Sequence, residues 1–372
     1  MKTLIITLEY PPQAGGIASY VYNFAAHLPV SDVVVYAPRL KGDKEFDAKQ
    51  GWKVYRRQPH WLLWPRWIRM LFQILEIIKK EKIEHLYIHQ ALPAGYVGLL
   101  LKKFKKLPYT IFLHGTDVTL AVRSAWKLKR FRQVLAGAER VVVNSNFLKN
   151  KVEGKLENLK TPIEVLYPSP ADDFFIKTPE EIVRKLKTEL ALNGKRVMLT
   201  VARMVEGKGY PHIAHMLPEL VRRVPNLAWL IIGDGPKKAE LVGLIQKNHL
   251  QNVVRLLGVV PREELPKYYQ LADLFVLLTH ADESQEEAWG TVFLEAAASG
   301  LPVVAGRAGG VEEAVENSVT GAVVDIYQEK AVIETIVGLL ENTEQAGKMG
   351  QAGQERVMNE FTWEKQLLRL KD

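Results

Sequence analysis

Glu287-Ala-Trp-Gly-Thr-Val-Phe-Leu-Glu295 runs straight into Ala-Ala-Ala-Ser-Gly300-Leu-Pro-Val-Val304. The first carboxylate lies in a polar loop that ends in glycine. The second lies within an apolar run of helical type that stops at Gly300, a C-cap signal, and a strand-like Leu301–Ala305 follows. A carboxylate pointing inward from the first turn of a buried helix is costly unless something polar meets it, and a vicinal diol such as a ribose would do so. Taken singly, Glu295 reads as a paired core carboxylate and Glu287 as a solvated loop charge. The pair reads as ligand groups because a phosphate-type signal lies upstream.

Outward from this stretch the chain alternates short β-branched runs with longer helical patterns. Strands are predicted at Thr3–Leu8, Val33–Tyr36, His85–His89, Tyr109–Leu113, Arg140–Val143 and Glu164–Leu166, with helices between them. Pro168-Ser-Pro170-Ala-Asp-Asp breaks the series and reads as a linker. A second series places strands at Val197–Val201, Ala228–Ile232, Val253–Leu256, Leu274–Leu278 and Pro302–Ala305. Strands alternating with helices imply parallel sheets covered on both faces. The expected fold is α/β, with two doubly wound, Rossmann-like domains over 1–170 and 171–359. The amphipathic end, 360–372, is expected to pack back on the first. Two such domains would face each other across a cleft at the carboxyl ends of their strands.

Composition agrees with a two-domain globular protein: 372 residues, 47% hydrophobic and 25% charged. Cysteine is absent, so disulfides and thiolate metal sites are excluded. The apolar start is too short for a signal peptide and Glu9 ends it, so a cytoplasmic location is expected. No repeat or low-complexity tract is present. Charge is unevenly spread: residues 1–170 hold 27 Lys and Arg against 13 Asp and Glu, a net +14, whereas the whole chain is +8. The basic half suits phosphates or an anionic membrane, or is a solvated surface.

Four further segments carry chemistry. Gly15-Gly16 follows the first strand and opens a helix, where backbone N–H groups meet an anion. Arg203-Met-Val-Glu-Gly-Lys208-Gly209 sets a forked and a compact cation at the end of a strand, suited to a pyrophosphate and to the charge that grows as it leaves. His114-Gly-Thr-Asp117 puts an imidazole at a strand end, fit to meet a sugar hydroxyl. His85 and His89 read as strand residues with ordinary hydrogen bonds. Gly233-Asp-Gly-Pro236 reads as a tight turn, and Gly306–Glu313 is similar. Nucleotide-triphosphate, zinc-protease and serine-hydrolase motifs are missing, and so is any Asp-x-Asp metal clamp.

The ordered set resembles glycosyltransferase family 4, the retaining enzymes of GT-B fold, over almost the whole chain. It comprises Tyr-Pro-Pro12 with Gly15-Gly16, His114-Gly-x-Asp117, Arg203-x4-Lys208-Gly209, Gly233-Asp-Gly-Pro236, and Glu287-x7-Glu295 with Gly300-x-Pro302-Val. The resemblance implies a metal-independent hexosyltransferase that needs no cofactor, a nucleoside diphosphate sugar being its substrate. Glu295 would hold the ribose hydroxyls and Glu287 the hydroxyls of the transferred sugar. Arg203 and Lys208 would grip the diphosphate, Gly15 and Gly16 would let backbone amides meet the phosphate or sugar from the opposite domain, Gly233 would line the donor site, and His114 would contact the donor sugar. Displacement would occur on one face, the leaving phosphate taking the acceptor's proton, so no carboxylate nucleophile is needed. GDP-mannose is the first expectation for the donor and a lipid or lipid-linked glycan for the hydroxyl acceptor, as in phosphatidylinositol mannosyltransferase-like enzymes. Ala288-Trp289 stands where Gly-Phe is commoner and would reshape the sugar pocket.

The stretch from His60 to Phe72 sets tryptophans beside arginines, near Lys102-Lys-Phe-Lys-Lys106 and Lys127–Arg132, a composition suited to peripheral attachment at the inner face of a membrane. Three rival readings stand beside this one: a nucleotide-sugar epimerase or hydrolase on the same fold, a dinucleotide-dependent dehydrogenase, and an RNA-binding protein. The missing GxGxxG opposes the second. The acidic second half and the lack of an RNA-recognition motif oppose the third.

Overall fold

A computed structural model describes residues 1–13, 15–57, 67–281 and 289–370. Its contacts divide the chain into two compact units, Met1–Pro168 with Gln366–Asp372, and Ser169–Lys365. Phe361 and Trp363, grouped with the returning end in the sequence reading, fall in the second unit. There Phe361 packs on Trp289 (5.6 Å between ring centroids) and under Arg356 (5.0 Å). In the first unit Tyr167 N–H donates to Gln366 Oε1 at 3.0 Å, and Arg140 Nη1 donates to the Leu370 carbonyl at 3.1 Å.

The first unit holds β1 (Thr3–Ile6), β2 (Val33–Pro38), β3 (Lys53–Arg57), β4 (His85–His89), β5 (Tyr109–Leu113), β6 (Arg140–Val143) and β7 (Ile163–Val165). They form one parallel sheet in the order β3-β2-β1-β4-β5-β6-β7, with Ile5 paired to Val35 on one side and to Tyr87 on the other. Strands such as Leu4-Ile-Ile and Val141-Val-Val are apolar on both faces because helices cover both. Ile6, Ile88, Ile111 and Val141 pack against Ile77, Val97, Leu101 and Val134, which belong to the helices Trp67–Glu81, Gly95–Lys105 and Ala125–Gly137. On the opposite face Phe24, from the helix Gly16–Ala26, meets Tyr87 and Phe112 edge-on at 5.4 and 5.0 Å.

β3 has no apolar run, and polar anchors hold it at the sheet edge. Lys53 Nζ and the Tyr55 hydroxyl donate to Glu81 Oε1 at 3.0 and 2.6 Å, and Lys2 Nζ donates to Glu81 Oε2 at 3.2 Å. Glu81 is buried. The Tyr55 hydrogen bond, followed by those from the two lysines, holds its carboxyl at about 2.

The second unit holds β8 (Arg196–Val201), β9 (Leu227–Ile232), β10 (Val254–Gly258), β11 (Leu274–Leu277), β12 (Val303–Gly306) and β13 (Gly321–Val324), again parallel, in the order β10-β9-β8-β11-β12-β13. At its centre the buried Trp229 indole donates to Thr200 Oγ1 (2.9 Å), whose hydroxyl donates to the Val276 carbonyl (2.7 Å). The helix Thr343–Glu360, not foreseen from the sequence, crosses the end of Thr291–Ala298 so closely that a Cβ on Gly350 would lie 2.1 Å from the Gly300 carbonyl oxygen.

Strand order reverses between β1 and β4 in one sheet and between β8 and β11 in the other. In open α/β sheets ligands bind outside the carboxyl ends of the strands at such points. The sequence-derived candidates of the two units follow these strands or β5, apart from Gly233, which follows β9.

Candidate active site

In the second unit the chain leaves β8 as the loop Ala202–Gly209. Arg203 is exposed on it, Lys208 is half-buried, and Arg203 makes no ion pair among the described residues. Gly209 closes the loop with φ +70°, and a Cβ there would stand 2.2 Å from the Leu278 carbonyl oxygen. The next loop, after β11, answers this contact: His280 N–H donates to the Gly207 carbonyl at 3.1 Å. The two segments flanking the switch point are thus locked to one another through main chain, and only glycine fits at 209.

The turn Gly233–Pro236 supports the first loop. Met204 N–H donates to the Asp234 carbonyl and Lys237 N–H to the Met204 carbonyl, both at 2.9 Å. Gly233 has φ +142°, and a Cβ on it would be 1.9 Å from the Ala202 carbonyl oxygen. The visible work of Gly233 is therefore to let this turn approach the backbone that carries Arg203.

Glu295 lies in the second turn of the helix Thr291–Ala298 and is half-buried. Its Oε2 accepts a 2.8 Å hydrogen bond from the Tyr269 hydroxyl. Burial raises the Glu295 carboxyl above the usual range, the Asp173 charge adds to this, and the Tyr269 hydrogen bond and the Arg262 charge oppose it. Tyr269 is fully buried, stacked on Phe275 and edge-on to Phe174. Burial, then the Glu295 charge, pushes its hydroxyl far up. Glu286 and Glu287 fall in 282–288, outside the described residues, as do Ala14 and the aromatic–basic residues 58–66. Trp289, expected from sequence to reshape the sugar pocket, is a buried residue packed against Phe361.

In the first unit β1 continues into Thr7–Pro12, and Gly15-Gly16 opens the following helix, Ser19 N–H closing its first turn on the Gly15 carbonyl at 3.0 Å. One side chain ties this loop down. Arg56 donates to Asp47 through Nε (3.0 Å) and Nη2 (2.9 Å), to the Pro38 carbonyl through Nη1 (3.0 Å), and to the Pro11 carbonyl, while lying 5.1 Å over the Tyr10 ring. The Trp52 indole donates to the Tyr10 hydroxyl at 3.1 Å.

Gln90, just past β4, adopts φ +77°. That left-handed backbone is unusual for a side chain of its size and is the kind of strain found at functional edges. Its Nε2 donates to Glu9 Oε1 at 2.8 Å, and Glu9 stands beside Gly15.

His114 ends β5. Its ring lies 3.2 Å, Nε2 to Nδ1, from His89, and burial lowers its pKa to about 3. Asp117 Oδ1 accepts from the backbone N–H of His114 (3.2 Å) and of Val118 (3.0 Å), which fixes the turn. Burial lifts the Asp117 carboxyl to about 6 against those bonds. His85 pairs with Thr110 as an ordinary strand histidine at 3.0 Å, but His89 does not.

From sequence His89 reads only as an ordinary strand histidine and Glu9 only as the end of the apolar start, while Gln90 and Tyr269 carry no sequence signal. A signal for His89 was present, since β4 beside β5 sets it opposite Phe112, on the face His114 shares two residues on. Among the described residues no group of three or more His, Asp or Glu is placed to hold a metal ion.

Comparison with known proteins places this arrangement. Residues 14–169 match the family described as Glycosyltransferase Family 4, and residues 183–356 match Glycosyl transferases group 1. A GDP-mannose-dependent alpha-(1-6)-phosphatidylinositol monomannoside mannosyltransferase of Mycolicibacterium smegmatis is 30% identical over 97% of this chain and 94% of its own. The chain belongs to glycosyltransferase family 4. The same-named enzyme of Mycobacterium tuberculosis is 28% identical over 100% and 97% of the two chains. Among solved structures, Anabaena HepE in complex with UDP and glucose superposes with a TM-score of 0.84 at 19% identity, covering 100% of this chain and 98% of the other. This family-4 glycosyltransferase therefore has the GT-B fold, with the two Rossmann-like sheets described above.

Proposed function

We propose that this glycosyltransferase moves mannose from GDP-mannose to a hydroxyl of a lipid-linked acceptor at an anionic membrane surface, with retention of configuration and without a metal. The observation that carries the reading is the main-chain lock at the β8–β11 switch point, which presents Arg203 and Lys208 beside the segment that leads to Glu295. Arg203 and Lys208 take the diphosphate and stabilise the charge that develops on it as the sugar departs. Glu295 takes the ribose hydroxyls and Glu287 the hydroxyls of the sugar. Gly15 and Gly16 offer amides, Gly233 borders the donor, and His114 meets the transferred sugar. The leaving phosphate accepts the acceptor's proton as the new bond forms on the same face.

GDP-mannose and a phosphatidylinositol monomannoside acceptor are taken from the names of the mycobacterial relatives. None of the relatives compared above supports an epimerase or hydrolase. Three exposed aromatics on helices covering one sheet face support the membrane reading: Phe72 (63% exposed), Phe104 (72%) and Trp126 (61%). Lys103 and Arg130 lie 5.7 Å from the rings of Phe104 and Trp126. Aromatics beside cations suit an interface, each cation contributing about 1 kcal/mol near an anionic leaflet. No helix among the described residues is long and apolar enough to cross a membrane.

The test is transfer from GDP-mannose to vesicles containing phosphatidylinositol monomannoside, with UDP-glucose as the competing donor. Glu295→Ala and Lys208→Ala each abolish transfer while the protein stays folded, and the protein sediments with anionic vesicles at low salt and leaves them at high salt. Near-normal turnover in both variants refutes the site. Preference for UDP-glucose refutes the donor, and equal sedimentation with neutral vesicles refutes the surface.

A further inference from the structure

The carboxyl ends of β4 and β5 set two imidazoles side by side, their planes 15° apart and their centroids 5.4 Å apart. His89 Nδ1 and His114 Nε2 are 3.2 Å apart. That contact is a hydrogen bond only if one nitrogen carries a proton and the other does not. Two neutral arrangements satisfy it. In one, His89 donates from Nδ1, its Nε2 is bare, and His114 carries its proton on Nδ1. In the other, His114 donates from Nε2 and His89 must carry a proton on its own Nε2.

The surroundings of His89 choose between them. His89 Nε2 is buried and has no hydrogen-bond partner among the described residues. The ring is walled by Phe112, stacked at 4.3 Å, and by Phe24 and Tyr20, edge-on at 5.6 and 5.9 Å. The second arrangement buries an N–H donor with nothing to receive it. The first leaves only an unused lone pair, and orphaned buried N–H groups are the rarer of the two. A doubly protonated His89 would bury a charge in the same aromatic box, which is more costly still.

We propose that His89 is a positioning residue which donates Nδ1–H to His114 Nε2 and so holds His114 as the Nδ1–H tautomer, a hydrogen-bond donor to the sugar and not a base for the acceptor's proton. The proposal rests on the reading of His114 as a donor-sugar contact given above. No hydrogen bond to His114 Nδ1 occurs among the described residues, so that N–H is left for the substrate. The lone pair that a general base would need is already occupied by His89. Ring nitrogens are assigned from such networks and not seen directly, so the assignment is open to direct measurement.

Long-range proton–nitrogen correlation spectra of histidine-labelled protein read the tautomer without substrate, His114 being assigned by its loss in His114→Phe. The expected result is a protonated Nδ1 and a bare Nε2 on His114. His89→Phe removes the donor while keeping an aromatic ring in the box. In that variant His114 turns to a mixture of tautomers and turnover falls about five- to tenfold, the worth of one neutral hydrogen bond. His89→Asn, whose amide N–H reaches the position of Nδ1, restores both the His114 spectrum and most of the turnover. A protonated Nε2 on His114 in the unmodified protein overturns the proposal. So does an unchanged spectrum and turnover in His89→Phe at an unchanged melting temperature. Failure of the proposed glycosyl transfer looks different: the unmodified protein turns over no nucleotide sugar while His114 still shows the Nδ1–H form, and the tautomer assignment then stands alone.

Discussion

Tyr269→Phe separates the support of Glu295 from everything else in its surroundings. The substitution removes one oxygen and leaves the ring stacked on Phe275 and edge-on to Phe174, so packing is kept. What is lost is a 2.8 Å donation to Glu295 Oε2. A hydrogen bond to an ionised carboxylate contributes about 1.5–3 kcal/mol, roughly 10- to 150-fold in an equilibrium constant. Glu295 is half-buried, so water replaces part of the loss, and the lower end, about tenfold weaker nucleotide binding, is expected. The pH dependence has a definite sign. Burial already raises the Glu295 carboxyl, and the Tyr269 donation works against that. Removing it raises the carboxyl further, so binding that needs the ionised form begins to fail at a higher pH in the variant than in the parent. Titration calorimetry with GDP at several values between about pH 5 and 8, the range where a raised carboxyl ionises, reads both effects. Equal affinity and an identical pH profile in the two proteins would falsify the role given to Glu295.

Two further expectations concern loop closure and stability. Gly209→Ala must place a Cβ 2.2 Å from the Leu278 carbonyl oxygen at φ +70°. The conformation alone costs about 1–2 kcal/mol, and the carbonyl must shift as well. A folded protein with donor affinity at least about tenfold lower follows, whereas Gly243→Ala, with nothing within 4 Å, leaves binding unchanged; equal calorimetric affinities in both would refute the lock between the loops. Glu81→Gln breaks three contacts to a buried carboxylate, although Lys53 is largely exposed, so about 2 kcal/mol of stability and a few degrees of melting temperature go with it. Because the Glu81 carboxyl is held at about 2 instead of 4.5, its contribution is whole above that usual value and fades as pH falls toward about 2. The gap between parent and variant should narrow with acid, and a constant gap would contradict the assignment.

The sequence declared its parallel sheets through runs such as Leu4-Ile-Ile and Val141-Val-Val, which need cover on both faces. It also placed Arg203, Lys208 and His114 beyond the carboxyl ends of strands, where the sheets have them, and Glu295 in the first turn of a helix, one turn short of the second turn it occupies. β3 was missed because Lys53-Val-Tyr-Arg-Arg has neither an apolar run nor alternation, and its place is set by Glu81 and Asp47, distant in sequence. The helix Thr343–Glu360 was missed because its packed face is made of small residues, Ala346, Gly350 and Gly353, which carry almost no hydrophobic period. Tyr269 could not have been found from a motif, since its hydroxyl matters only through a partner 26 residues on. The packing of Trp289 on Phe361 was likewise invisible, since its partner lies far along the chain.

Arg56 ties the loop ahead of Gly15 to the edge of the sheet. Its fork spans the Asp47 carboxylate and two main-chain carbonyls, those of Pro38 and Pro11, with its flat face on Tyr10. A lysine keeps the charge but is a single point and cannot bridge such a triangle. The stiffness of the segment ahead of Gly15 is therefore acquired once, when the chain folds, and does not have to be acquired anew at every encounter with a substrate. A conservative-looking exchange at position 56 would be felt as floppiness some forty positions earlier in the chain, at a loop whose own residues had not changed.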